Sequence, residues 1–276
     1  SNYDVTQKGY TGANINAVTK SGTNDWKGSV YHVYRDERMV GDRYNATDDS
    51  YTAPADFKEK TNGITLGGPL IKDKLFFFVS AEDSTSSRTT PAFGPLGSSL
   101  TNVGITPSAI ASLQSVAKSQ YGIDVGTAEG AVGAEQTVED RLVKLDWNIN
   151  DDHRASVRWQ KTDQVEPIFS GFSATGIALS SYLYSEVKNN ESTVVQWFGD
   201  WTPNFSTEVK LSQRDFGKDH ANNAYLPAMA LQFTGPLPAG TPSSVRTGSR
   251  FINFGTERSR QFNKLETTTY DAYVGA

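Results

Sequence analysis

The stretch GANINAVTKSGTNDWKGSVYHVYRDE, Gly12–Glu37, sets two unlike β-type runs on either side of a turn. Ile15–Thr19 is small and β-branched, whereas Trp26–Tyr34 is aromatic. Between them, Lys20, Ser21, Gly22, Thr23 and Asn24 read as a turn. Gly accepts backbone conformations closed to other residues, and Ser and Asn bond their own backbone.

Alternation is the main signal elsewhere. Val143, Leu145 and Trp147 share one face of a run whose other face carries Lys144 and Asp146. Ala155, Val157 and Trp159 oppose Arg154, Ser156, Arg158 and Gln160. Thr193, Val195, Trp197 and Trp201 oppose Gln196 and Asp200, and Val209 and Leu211 oppose Glu208, Lys210 and Arg214. Leu75, Phe77, Val79 and Ala81 line up before Glu82; Asn62, Ile64 and Leu66 form a shorter case; Lys264–Val274 is rich in Thr and Tyr.

The connections between these strands alternate in length. Long polar segments run over residues 36–59, 84–138, 162–191 and 216–261. Tight turns fall at Gly68–Asp73, Ile149–His153 and Thr202–Phe205. Connections beyond about 12–15 residues are uncommon in compact domains. Four of them at one end of a meander match the asymmetry of an outer-membrane barrel, with short periplasmic turns and long extracellular loops. One helix is expected inside the second long loop, capped by Thr106, with Pro107 at its first position and Gly122 at its end. Ile110, Leu113, Val116 and Ala117 give it an apolar stripe to pack on other loops.

Composition narrows the class. The 276 residues are 37 % hydrophobic and 21 % charged, with a net charge of −5 and a mean hydropathy of −0.49. The longest apolar run, Leu75–Val79, falls far short of the ~20 residues of a spanning helix. A spanning β-strand needs only about 9–11 residues and hides its signal in alternation. No basic block points to nucleic acid. Without cysteine there is no disulfide framework and no thiolate chemistry. The three histidines are scattered, so no metal or other cofactor is expected. Asp151-Asp152-His153 reads as a turn rather than a catalytic trio, and no enzymatic site is expected.

Trp26, Trp147 and Trp201 sit beside the turn-side ends of their strands. There they read as an aromatic girdle, because an amphipathic ring prefers the headgroup level. The polar faces bearing Lys144, Arg158 and Arg214 would line a lumen in a barrel and meet solvent in a soluble sandwich, and parity alone leaves both open.

Residues Tyr3–Ser29, with the core NINAVTKSGTN over Asn14–Asn24, closely resemble the plug-to-barrel junction of TonB-dependent outer-membrane receptors, in particular the Oar-like branch. NGITLGGPLIKDKLFFF, Asn62–Phe78, resembles that family's second strand, periplasmic turn and third strand. The resemblance implies residues 1–24 as the C-terminal end of a plug domain. Residues 25–276 would then be the first strands of the barrel, about 8 of about 22, enclosing a plugged lumen. The first strand would be small because it packs in a plug, and the second aromatic because it faces lipid. The implied fold is all-β: a large transmembrane antiparallel barrel with the last plug strand and one short loop helix.

The implied role is uptake of an extracellular substrate across the outer membrane, energised by a TonB-type protein acting through an upstream segment. The alternative is a surface adhesion or structural barrel without active transport. A soluble carbohydrate-binding or hydrolytic β-domain would need a cleft with paired carboxylates. Arg35, Arg38, Asp42 and Arg43, at a strand tip, are the candidate substrate contacts at the mouth, against a reading as a solvated loop.

Overall fold

The computed structural model describes residues 19–87, 91–128, 134–243, 245 and 248–276. The small strand Ile15–Thr19, expected as plug, lies outside the described residues up to Val18. In chain order the strands are β1 (Lys27–Asp36), β2 (Arg43–Asn45), β3 (Ser50–Thr52), β4 (Lys58–Ile71), β5 (Leu75–Ser86), β6 (Phe93–Gly94), β7 (Thr101–Asn102) and β8 (Gln136–Asn148). They continue as β9 (His153–Ile168), β10 (Gly176–Ala178), β11 (Tyr184–Thr202), β12 (Phe205–Asn222), β13 (Met229–Phe233), β14 (Arg250–Phe254) and β15 (Leu265–Gly275). The α-helix of the described residues, α1, is Pro107–Tyr121.

Eight strands form one sheet in the order β1-β4-β5-β8-β9-β11-β12-β15. Every neighbouring pair is antiparallel. The sheet is therefore a meander and does not close on itself. Its short turns all lie at one end and its long loops at the other.

Register assigns the faces, because residues directly opposite point to the same side. Leu75 faces Trp147, Phe77 faces Leu145 and Val79 faces Val143. Leu145 faces Val157, which faces Val195, which faces Leu211. These residues make one apolar face across the whole sheet. Among the described residues nothing covers it: Val30 is 82 % exposed, Leu211 52 % and Val274 72 %. A soluble sandwich buries such a face against a second sheet. Among the described residues no second sheet packs on it, and an uncovered apolar face of this extent fits a lipid-facing wall rather than a sandwich. The opposite face carries Lys144, Asp146, Arg154, Arg158, Glu208, Lys210 and Arg214, all in one register.

The buried core lies in the loops. Val103, Ile105, Ile110, Ala117, Val125, Ile177, Leu179, Ile252 and Phe254 form one cluster. They come from α1, from a three-stranded sheet β10-β14-β13 and from the segments between. Thr106 Oγ1 accepts from Ala109 N at 3.1 Å, Pro107 opens the helix, and Gly122 ends it in the left-handed region at φ 67°. The second, third and fourth long loops thus interlock as a folded cap.

The strands outrun the expected boundaries. The loops expected over residues 162–191 and 216–261 give way to strand as far as Ile168, from Tyr184 and as far as Asn222. The turn expected at Gly68–Asp73 shrinks too, because β4 pairs as far as Ile71. Where water wets both faces, an alternating pattern is not required, yet the ladder of backbone bonds continues.

Candidate functional site

Three parts of the wall carry chemistry: the floor where the chain enters, the polar face, and the mouth beneath the cap.

At the floor, Lys20–Asn24 lies against the polar face at the turn end of β4 and β5. Ser21 Oγ accepts from Lys144 Nζ at 2.7 Å. Lys144 shares its face with Phe78 and Gly67, so the segment reaches the wall from the lumen side. Gly22 is set so close that a Cβ there would meet Phe77 O at 2.3 Å and Gly68 O at 2.8 Å. Glycine is needed for close approach here rather than for an unusual φ. Asn24 ties the segment to the next turn: its Nδ2 donates to Asp73 Oδ1 at 2.5 Å, and its Oδ1 accepts from Asp73 N at 2.8 Å. Thr23 Oγ1 accepts from Asp25 N at 3.4 Å and closes the local bend.

The expected girdle residues share the apolar face at the turn end. Trp26 packs on Gly68, whose added Cβ would meet the ring at 2.9 Å, and stands edge-on to Phe77 with centroids 5.4 Å apart. Trp147 lies opposite Leu75 and Ala155. Trp201 packs against Trp197 and His153, at 5.5 and 4.9 Å. At the other edge of the band, Trp159 Nε1 donates to Glu191 Oε1 at 2.7 Å, and Tyr270 lies opposite Gln213 on the same face. The sequence reading named only the lower row. Trp159 and Tyr270 were visible as the last rings before the faces turn polar.

The polar face is a lattice of paired side chains. Lys144 meets Asp146 at 3.1 Å, Gln196 donates to Glu208 at 3.2 Å, and Arg154 stacks over Phe198 at 4.7 Å. Tyr31 lies over Gly63 and donates to Glu82. Such a surface suits a wet lumen or a polar domain seated inside it.

Above the apolar band the wall continues between polar surroundings on both sides. Outward neighbours there are Asp163 and Asn189, with Lys161 Nζ 2.7 Å from Asp163. On the inner side Glu186 binds Lys188 at 2.5 Å and Lys218 at 2.6 Å, and Lys188 reaches Glu166 at 3.5 Å. Burial pushes the Glu186 carboxyl up, but the Lys188 and Lys218 ammoniums outweigh it and hold it down at about 2. His220 bonds the Asn263 carbonyl through Nδ1 at 2.7 Å and turns Nε2 towards Glu186 at 3.7 Å. Tyr184 stands edge-on to His220, and its hydroxyl accepts from Arg260 Nε at 3.2 Å. Sequence reasoning missed this cluster because its members come from three strands and a loop.

The four candidate contacts are not one cluster. Arg35 stands 4.0 Å from Glu59 and 5.7 Å over the Phe57 ring. Arg38 bonds the buried Asp36. Asp42 and Arg43 stand at the base of the β2–β3 hairpin, where Arg43 pairs with Thr52. Among the described residues no bond joins any two of the four. Asp151-Asp152-His153 is a turn in which Asn150 Oδ1 accepts from Asp152 N and His153 N, at 3.0 and 2.8 Å. No group of three or more His, Asp or Glu side chains is placed to hold a metal among the described residues.

Residues 18–96 match the family model described as an outer membrane beta barrel domain. The TonB-dependent transporter Oar of Myxococcus xanthus is 40 % identical over 72 residues, which cover 25 % of this chain and 7 % of that transporter. The chain therefore spans only a small part of that relative. No solved structure matches. The uncovered apolar wall and these two matches agree: this chain is an open β-wall of the bacterial outer membrane.

Proposed function

We propose that the chain forms the first part of the barrel wall of a receptor that takes up a solute with energy from a TonB-type partner. The observation that carries this reading is the entry of Lys20–Asn24 from the lumen side. A chain segment that leaves the lumen and then becomes the first wall strand fits a plug seated inside the barrel, with residues 1–24 as its end. The paired polar face is the surface such a plug would rest on. The partner would act on a segment upstream of Ser1, and substrate would enter past the loop cap and the strand tips that carry Arg35 and Arg38. A wall of about 22 strands would complete the lumen. Trp26, Trp147 and Trp201 would anchor the turn end at the lipid headgroups.

Two deletion strains test the reading. One lacks the whole receptor and the other lacks the TonB-type coupler. Spent medium from both is profiled for solutes that parental cells remove. Energised uptake predicts that the same solute stays behind in both strains. A solute that needs the receptor but not the coupler would leave an unenergised barrel. No retained solute, with loss of surface attachment instead, would favour the adhesion reading.

A further inference from the structure

The loop cap contains a buried cation that nothing above uses. Arg250 opens β14 opposite Phe233 of β13. It is 6 % exposed, and its Nε and Nη1 are enclosed without a hydrogen-bond partner among the described residues. Its stem runs beside aliphatic groups: beside a Cβ added to Gly104 stand Arg250 Cδ at 3.5 Å and methyl groups of Leu237 and Thr241 at 3.2 Å each. A guanidinium does not escape burial by losing its proton. Left unpaired in such a place, it destabilises whatever holds it.

The described residues around it offer little as a counter-ion. Residues 91–128, 169–183 and 223–256 contain a single carboxylate, Asp124. Asp124 is exposed and caps its own turn by accepting from Gly126 N at 2.8 Å. The next acid along the chain, Glu257, accepts from Ser259 N at 2.9 Å and stands 4.0 Å from Arg260. The segment that carries Arg250, residues 223–256, has no acid of its own.

We propose that Arg250 is an anion-recognition site in the loop cap and takes the carboxylate of a solute arriving from solvent. A carboxylate is planar and meets the guanidinium fork with two parallel hydrogen bonds. It also carries one charge, which one guanidinium neutralises. A phosphate dianion would keep one charge uncompensated in a buried place. The site stands whether or not uptake is energised by a partner.

The test uses the full-length protein in bilayers. Acetate is the probe, with chloride and inorganic phosphate at matched pH and ionic strength. The readout is the rate of protease cleavage within residues 223–264, which follows the population of the opened cap. Acetate slows cleavage saturably by about tenfold, the size expected of hydrogen bonds to a charged group. Arg250→Met abolishes that response and, in chloride alone, is cleaved more slowly than the native chain, because the unpaired charge is gone. Arg250→Lys keeps the charge without the fork and responds weakly. Faster cleavage of Arg250→Met in chloride would show that Arg250 is already paired and overturn the proposal. So would equal acetate protection of native and Arg250→Met protein, or protection by phosphate as strong as by acetate.

Discussion

Replacing Gly22 by Ala asks whether the entry segment is clamped to the wall. The added Cβ would stand 2.3 Å from Phe77 O, 2.8 Å from Gly68 O and 3.0 Å from Phe77 N. All three are backbone atoms of the β4–β5 pair, in which Gly68 is bonded opposite Phe77. They cannot swing aside as a flexible side chain would, so the segment itself must back away. An extra methyl in a packed site costs typically ~1–3 kcal/mol, and the population of the detached segment rises by roughly 5- to 150-fold. The structure supplies a local reporter: the Asp73 amide is held by Asn24 Oδ1 at 2.8 Å. Hydrogen exchange in the full-length protein should therefore speed up at Asp73 by that factor. The adjacent Lys74 amide bonds Ile71 O at 3.1 Å and should keep its rate. Gly41→Ala is the control, since a Cβ there meets nothing within 4 Å. An Asp73 amide that exchanges no faster in Gly22→Ala than in Gly41→Ala would refute the clamp.

Other expectations follow from the faces and the cap. Leu145→Arg, in the middle of the apolar band, should destabilise the bilayer-embedded protein by ~2–4 kcal/mol in denaturant titrations, whereas Ser156→Arg on the lumen face should cost little. Thr106→Ala removes the bond to Ala109 N and should destabilise α1 by about 1 kcal/mol, seen as faster exchange in its first turn. The Glu186 carboxyl sits at about 2 in the fold against an ordinary 4.5. Its ion pairs therefore stabilise the strand tops fully above pH 4.5 and lose that effect as pH falls through about 2. Pepsin cleavage within residues 169–183 should rise over that window in the native chain and be high and flat in Glu186→Gln.

The sequence and the structure agree where lipid imposes a pattern. Val143, Leu145 and Trp147 alternate because one side of their strand must be apolar, and that pattern located the wall strand without any partner in view. Helix α1 was legible for a local reason: Thr106, Pro107 and Gly122 each satisfy a backbone need within a few residues. Agreement ends where water returns to both faces. Thr162–Gln164 and Asn189–Asn190 form strand only because neighbouring strands continue beside them. The cap was illegible because its sheet joins distant segments, with Gly176 beside Phe251. Nor did the reading flag Arg250, although the absence of acids from Asn223 to Thr256 was already on view.

The wall's height has a consequence of its own. In β11 the apolar face spans Thr193–Trp201, about the length a tilted strand needs to cross a bilayer. Tyr184–Ser192 then carries the same strand roughly 30 Å farther, at about 3.3 Å per residue. With a tilt near 45°, that is roughly 20 Å of height above the lipid. The cap is thus held aloft on a stiff hydrogen-bonded mast. With the loop end outward, as proposed above, an antibody or a phage tail fibre approaching the cell would meet this raised knob before the lipid surface. Contact with other particles would then fall on the knob, while the bilayer alone sets the alternation below it. Two different constraints therefore meet in one chain, at the level where Trp159 Nε1 donates to Glu191.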